Sequence, residues 1–210
     1  MVPGIEEIIN SKKYKLREVL EFKDVISFVL LNIKKRGIVS GLYFFLNIAS
    51  LAILIILSVV LLIQNNISAG KLIQNMILGI LAGTFLIVPV HELFHYLAYF
   101  SMGARKIKFG ADPRQFIFYV VADRFPIGRF QLGILAMTPF VAINALTALF
   151  IIPLFPAGTI IGGFLLLSHN IMCIGDFAML NYALQKENKG VVTFDAVEKR
   201  KSYFFIKVKE

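Results

Sequence analysis

An all-α membrane protein, with four transmembrane helices and a membrane-associated β-hairpin between the second and third, is the architecture this sequence predicts. Three observations predict it. Hydrophobic residues make up 58% of the 210, with a mean hydropathy of +0.76, and soluble domains are nearer half apolar. Four apolar runs are each long enough for a hydrocarbon core of about 30 Å, which takes roughly 20 helical residues. The charged residues fall almost wholly between those runs.

Residues 1–40 are charged, and Leu16, Val19, Leu20, Val25, Ile26, Val29, Leu30 and Ile33 recur near helical spacing among Lys, Arg and Glu. That spacing predicts an amphipathic helix, either interfacial or packed in the ordinary way. No short apolar core with small cleavage-site residues precedes the first span, so that span is expected to act as its own insertion signal. The first span, 41–63, carries no charge. The second, 76–102, is apolar except for HELFH at 91–95, and the third, 132–154, contains Pro139 and Asn144 but no charge. The fourth, 157–184, contains His169 and Asp176. Between the second and third spans, KIKF at 106–109 alternates, GADP at 110–113 signals a turn, and QFIFYVV at 115–121 is aromatic and β-branched. This predicts a hairpin over 104–122. In the tail, 186–210, the runs 191–194 and 202–208 predict a second short hairpin.

Lys and Arg gather on the cytoplasmic side of membrane proteins. Of the 22, eight lie in residues 1–40, one (Lys71) between the first two spans, six in the middle connection and seven in the tail. Both termini and the middle loop are therefore expected in the cytoplasm of a multi-pass cell-membrane protein. The net charge of +9 borders the membrane, where anionic lipid attracts it, so the bilayer and not nucleic acid is the expected partner. Cys173 is the single cysteine, which excludes an internal disulfide.

Of 13 acidic residues, Glu92 and Asp176 alone fall within spans, together with all three histidines, His91, His95 and His169. An ionisable group at a helix centre in hydrocarbon costs about 2.5–3.5 kcal/mol, so these five are functional candidates. The second and fourth spans run in the same direction under the charge-derived topology. His95 and Asp176 then lie at matching depth, roughly 10–12 Å from the cytoplasmic ends at about 1.5 Å per residue.

Helical positions i and i+4 share a face, so His91 and His95 can present two imidazoles to one zinc ion. Glu92, on an adjoining edge, can take a proton from a zinc-acidified water that attacks a peptide carbonyl. Asp176 is the expected third ligand as the only other carboxylate in a span, with His169 the alternative. His169 precedes Asp176 by two turns with a drift of about 20°, so both face the same way and His169 can bind metal, orient a ligand or hydrogen-bond substrate. Asn170 beside it can donate to a carbonyl or an oxyanion.

These residues resemble the site-2-protease class of intramembrane zinc metalloproteases, and more closely a bacterial family of membrane proteins described as putative zincin peptidases. The resemblance runs from the first span to the end of the fourth. It implies a site-2-protease-like core, in which a HExxH helix is followed by a membrane-associated hairpin and by a helix giving an aspartate to zinc. VPVHELFH at 88–95 matches the first part, and Gly175-Asp176 within SHNIMCIGDFAML takes the place of the last. In site-2 proteases the glycine usually follows the aspartate in an Asn-Pro-rich context; here it precedes it, with no proline near. The peptide-binding domain of many relatives is not evident in this sequence. The implied activity is hydrolysis of membrane-embedded or membrane-adjacent protein or peptide substrates. An edge strand of the hairpin can hold such a chain extended, or the hairpin can simply cap the helices. The alternatives are a non-enzymatic zinc-binding or ion-transporting membrane protein and a catalytically silent relative, against which Glu92 argues.

Overall fold

The computed structural model describes residues 3–113, 115 and 117–208; Arg114 and Phe116 of the middle loop, with 1–2 and 209–210, lie outside the described residues. The chain is mostly helical: α1 (Ile5–Asn10), α2 (Val25–Lys34), α3 (Ile38–Ile63), α4 (Ala69–Leu81), α5 (Ile87–Ser101), α6 (Arg129–Phe150), α7 (Ala157–Met172) and α8 (Ile174–Leu184). The strands are β1 (Tyr14–Glu21), β2 (Ile107–Asp112), β3 (Ile117–Ala122), β4 (Ile127–Gly128), β5 (Val192–Ala196) and β6 (Lys201–Lys207). The chain divides into two compact units, one formed by Gly41–His91 and Pro139–Ile174, the other by Met1–Ser40, Glu92–Thr138 and Gly175–Glu210.

Three helices are long and apolar enough to cross a membrane: Ile38–Ile63, Ala69–Ser101 and Arg129–Phe150. The pair α7 and α8 makes a fourth only if a bend of 46° is counted within one span. The straight fourth helix expected from the sequence is corrected here. The last α7 bond runs from the Cys173 N–H to the His169 carbonyl, and Gly175 follows, a residue with little preference for helix. The second span also begins earlier than expected, because Ser68 caps α4 by accepting from the Lys71 N–H at 3.3 Å. Lys71 thus lies in the first turn of α4 and not in a loop.

In the unit containing α3, that helix is apolar all round and most of its side chains are exposed, Ile48 at 68% and Ile56 at 64%. Such a surface suits lipid and would be unusual in water. Its Leu54 and Leu61 pack with Ile67, Leu72 and the α7 residues Ile160, Phe164 and Leu167. Helices α4 and α7 approach so closely that a Cβ at Gly79 or Gly83 would strike the Ile161 or Leu165 carbonyl, the small-residue contact by which helices associate in lipid. Tyr43 donates to the Ile171 carbonyl at 2.8 Å and ties α3 to the end of α7.

The other unit has a four-stranded antiparallel sheet in the order β1-β6-β5-β4, and a separate antiparallel pair β2-β3. The all-α class is corrected to mostly helical with some strands. The hairpin expected over 104–122 is present, with Ile107 opposite Ala122 and Asp112 opposite Ile117, and the tail hairpin forms from β5 and β6. The N-terminal helix expected from Leu16 to Ile33 does not form as one piece. Tyr14–Glu21 is a strand paired with Lys201–Lys207, and only Val25–Lys34 is helical. A distant strand offers β1 backbone bonds that outweigh its local helical spacing. Phe28 of α2, Tyr182 of α8 and Phe204 of β6 pack ring against ring, with centroids 5.1–5.8 Å apart. Asn181 donates to the carbonyls of Asn32 and Lys35 at 2.8 and 2.9 Å and closes the end of α2.

One acidic side chain makes the sheet sensitive to pH. Asp195 accepts a hydrogen bond from Ser202 Oγ. Burial pushes its carboxyl up to about 6; the Ser202 bond pulls it partly back, and the nearby Asp123 charge adds to the rise. An unfolded chain releases that proton near pH 4. The folded state therefore keeps the proton longer, and the stability it lends is complete below about pH 4 and lost as pH rises through about 6. The expected loss is up to about 3 kcal/mol. Thermal unfolding at fixed detergent concentration should show it, and Asp195→Asn should flatten the dependence between pH 4 and 6.

Candidate metal centre

The apolar helix beginning at α4 does not run evenly into HELFH. A π-helical turn, Ala82–Leu86, separates α4 from α5, with the Ile87 N–H bonded to the Ala82 carbonyl. Pro89 has no N–H to return to that turn, which favours a widened ladder there. Within one continuous α5, His91 belongs to the first unit described above and Glu92 to the second. His91 and His95 lie one turn apart on that helix, so they share a face, and Glu92 occupies the adjoining edge.

His95 is buried, and its Nε2 lies 3.3 Å from Asp176 Oδ1 near the start of α8. Its Nδ1 lies 3.1 Å from the Leu135 carbonyl on α6. A carbonyl only accepts, so Nδ1 carries the proton and, in the neutral ring, Nε2 turns a lone pair toward the carboxylate. Two acceptors that close need a cation between them, either a proton or a metal ion. Zinc bonds of about 2.0–2.2 Å at tetrahedral angles set donor atoms roughly 3.4 Å apart. The pair therefore fits zinc, and the carbonyl behind His95 is the kind of group that orients a metal-bound imidazole.

Leu135 can serve His95 for a reason written in the chain. Pro139 lies inside α6, four residues after Leu135, and proline has no N–H for the i−4 carbonyl. The carbonyl that a regular helix would occupy is thereby available to the imidazole. Pro139→Ala should return the helical bond and divide the Leu135 carbonyl between two donors. Zinc affinity, measured by competition with a chelator, is expected to fall about 10-fold, within the range for groups behind a ligand.

His169 lies elsewhere than expected. Cys173 ends α7 between His169 and Asp176, so the two residues do not share one continuous helical face. In the unit that holds it, His169 is 1% exposed, its Nε2 lies 3.1 Å from His91 Nδ1, and the two rings meet edge to face. Cys173 Sγ lies 3.5 Å from the same Nε2. Asn170 pairs with Asn144 of α6, donating to its Oδ1 at 3.2 Å and accepting from its Nδ2 at 2.8 Å. Sequence reasoning passed over Cys173, although its i+4 spacing from His169 was a legible sign. It also passed over the roles of Leu135, Pro139 and Asn144.

Residues 84–191 match the model of the family described as "Putative zincin peptidase". Neither the curated proteins nor the solved structures give a match. The matched stretch opens just before HELFH, closes beyond Asp176 and takes in the β2-β3 hairpin, α6 and α7. It spans more than half of the 210 residues, and it holds the histidines, the carboxylates and the carbonyl behind His95. Zinc peptidase chemistry is what the family's description names. The chain belongs to the "Putative zincin peptidase" family.

Proposed function

We propose that the chain is an intramembrane zinc metallopeptidase of the site-2-protease kind, in which His91, His95 and Asp176 hold zinc. The observation that carries this reading is the His95 Nε2 to Asp176 Oδ1 approach of 3.3 Å, with the Leu135 carbonyl fixing the other ring nitrogen. His91 joins them by helix geometry, one turn before His95. When bound, zinc polarises a peptide carbonyl and acidifies water. Glu92 takes the proton of the attacking water and returns it to the departing amine. His169 and Asn170 support this centre from α7, with His169 holding the His91 ring.

The four apolar segments supply the membrane setting, with α7 and α8 together as the fourth crossing and both termini on the cytoplasmic side. Among the described residues β2 and β3 form a two-stranded sheet, and an extended substrate segment can add to the edge of such a sheet by backbone hydrogen bonds. A transmembrane substrate helix has to unwind to do so. The substrate class is therefore a membrane-embedded or membrane-adjacent polypeptide.

Reconstitution in liposomes with single-span membrane proteins tests the proposal. Cleavage in or beside the span should stop on chelation and resume with zinc. Zinc or proton flux without any cleavage would replace the peptidase reading by the transport reading.

A further inference from the structure

We infer that His91, His169 and Cys173 form a second cation site, for a thiophilic divalent ion, that shares His91 with the HELFH centre. Their donor atoms all lie within 4.8 Å of one another. A zinc ion with bonds of about 2.0–2.1 Å to nitrogen and about 2.3 Å to sulfur places two nitrogens roughly 3.4 Å apart, and a nitrogen and a sulfur roughly 3.6 Å apart. The separations here are 3.1 and 3.5 Å. His169 and Cys173 are each 1% exposed, so a bound ion would meet little competition from water.

A chain of hydrogen bonds fixes which nitrogen of His169 is available. The Phe140 carbonyl accepts from Asn144 Nδ2 at 2.8 Å, which sets the orientation of the Asn144 amide. The same Nδ2 donates to Asn170 Oδ1 at 2.8 Å, which sets that amide in turn. Asn170 Oδ1 lies 3.3 Å from His169 Nδ1 and can only accept, so Nδ1 carries the proton. The neutral ring then presents the Nε2 lone pair to His91 Nδ1 and Cys173 Sγ. An oriented imidazole backed by a carbonyl-type acceptor is the arrangement that metal ligands require.

The tautomer of His91 separates two states. With the proton on Nδ1, His91 donates to His169 and keeps its Nε2 lone pair. With the proton on Nε2, the Nδ1 lone pair joins His169 Nε2 and the Cys173 thiolate, whose proton leaves as the ion binds. A neutral imidazole has one lone pair, so His91 serves one ion at a time. An ion in the second site therefore withdraws His91 from the HELFH centre. The cation site uses His91 but none of Glu92, His95 or Asp176, so it stands or falls separately from the peptidase reading, on which only the withdrawal of His91 rests.

Cobalt(II) added to the full-length chain in detergent tests it. Cys173 is the single cysteine, so a near-ultraviolet thiolate-to-cobalt charge-transfer band assigns the ligand without any variant. The band is expected in the protein as it stands, or in Asp176→Asn, which removes the competing carboxylate. It should be lost in Cys173→Ser, a one-atom change, and in His169→Ala. Visible cobalt bands with no thiolate band in either the original chain or Asp176→Asn would overturn the inference. So would a thiolate band that persists in His169→Ala. Loss of hydrolysis in Glu92→Gln with the band unchanged would leave both readings standing.

Discussion

Glu92→Gln is expected to lower peptide hydrolysis by about 10²- to 10⁴-fold, the usual contribution of a positioned general base, while zinc stays bound. Glutamine keeps the size of the side chain and its place on α5 but cannot take a proton. His91, His95 and Asp176 are untouched, and so is the His95 bond to the Leu135 carbonyl. Measuring zinc content beside turnover separates the two properties. If the variant lost its zinc, Glu92 would be a ligand and the proton-transfer role would be wrong. If hydrolysis were unaffected while ion movement across the bilayer changed, the peptidase reading would give way to transport.

The second large effect is expected at Asp176. Asp176→Ala should weaken zinc binding by more than about 100-fold, beyond the roughly 10–100-fold typical of groups that only orient a ligand, and should abolish turnover. The carboxylate is the partner of His95 Nε2 at 3.3 Å, and alanine removes that oxygen donor. His169→Ala should fall within the orienting range, because His169 Nε2 meets His91 Nδ1 and His169 belongs to α7 whereas Asp176 belongs to α8. Zinc lost in the His169 variant and kept in the Asp176 variant would reverse the assignment. Chelator competition on both variants gives the answer directly.

HELFH was legible because helix periodicity alone places two histidines on one face and a glutamate beside them. The approach of Asp176 to His95 was legible for a different reason: sorting every charge left only two carboxylates within apolar segments, and depth matched one of them to His95. The approach of His95 and Asp176 lies within one compact unit of the structure. Local patterns also sufficed for the existence of the hairpin, but not for its turn: Gly110, Ala111 and Asp112 continue β2 and pair with Tyr119, Phe118 and Ile117. What could not be read depended on partners far along the chain. Tyr14–Glu21 becomes a strand because Lys201–Lys207 pairs with it, and nothing in residues 14–21 announces that partner. The break after His169 depends on how the Cys173 to Gly175 stretch is held, which a hydropathy profile averages away. Pro139 was visible, but its meaning was not, since the value of the carbonyl it leaves available depends on which side chain arrives there.

The π-helical turn before HELFH sets the angular phase of the helix. Gly79 of α4 and Gly83 of the π turn mark the side that meets α7. At about 100° per residue, a regular helix would carry His91, eight positions after Gly83, to about 80° from that side. A π turn takes up one residue more than an α turn, so His91 returns to within about 20° of the glycine line. It then faces α7, where His169 Nε2 meets it at 3.1 Å. Close glycine packing and an imidazole turned toward α7 make incompatible demands on a strict 3.6-residue period, and one widened turn reconciles them.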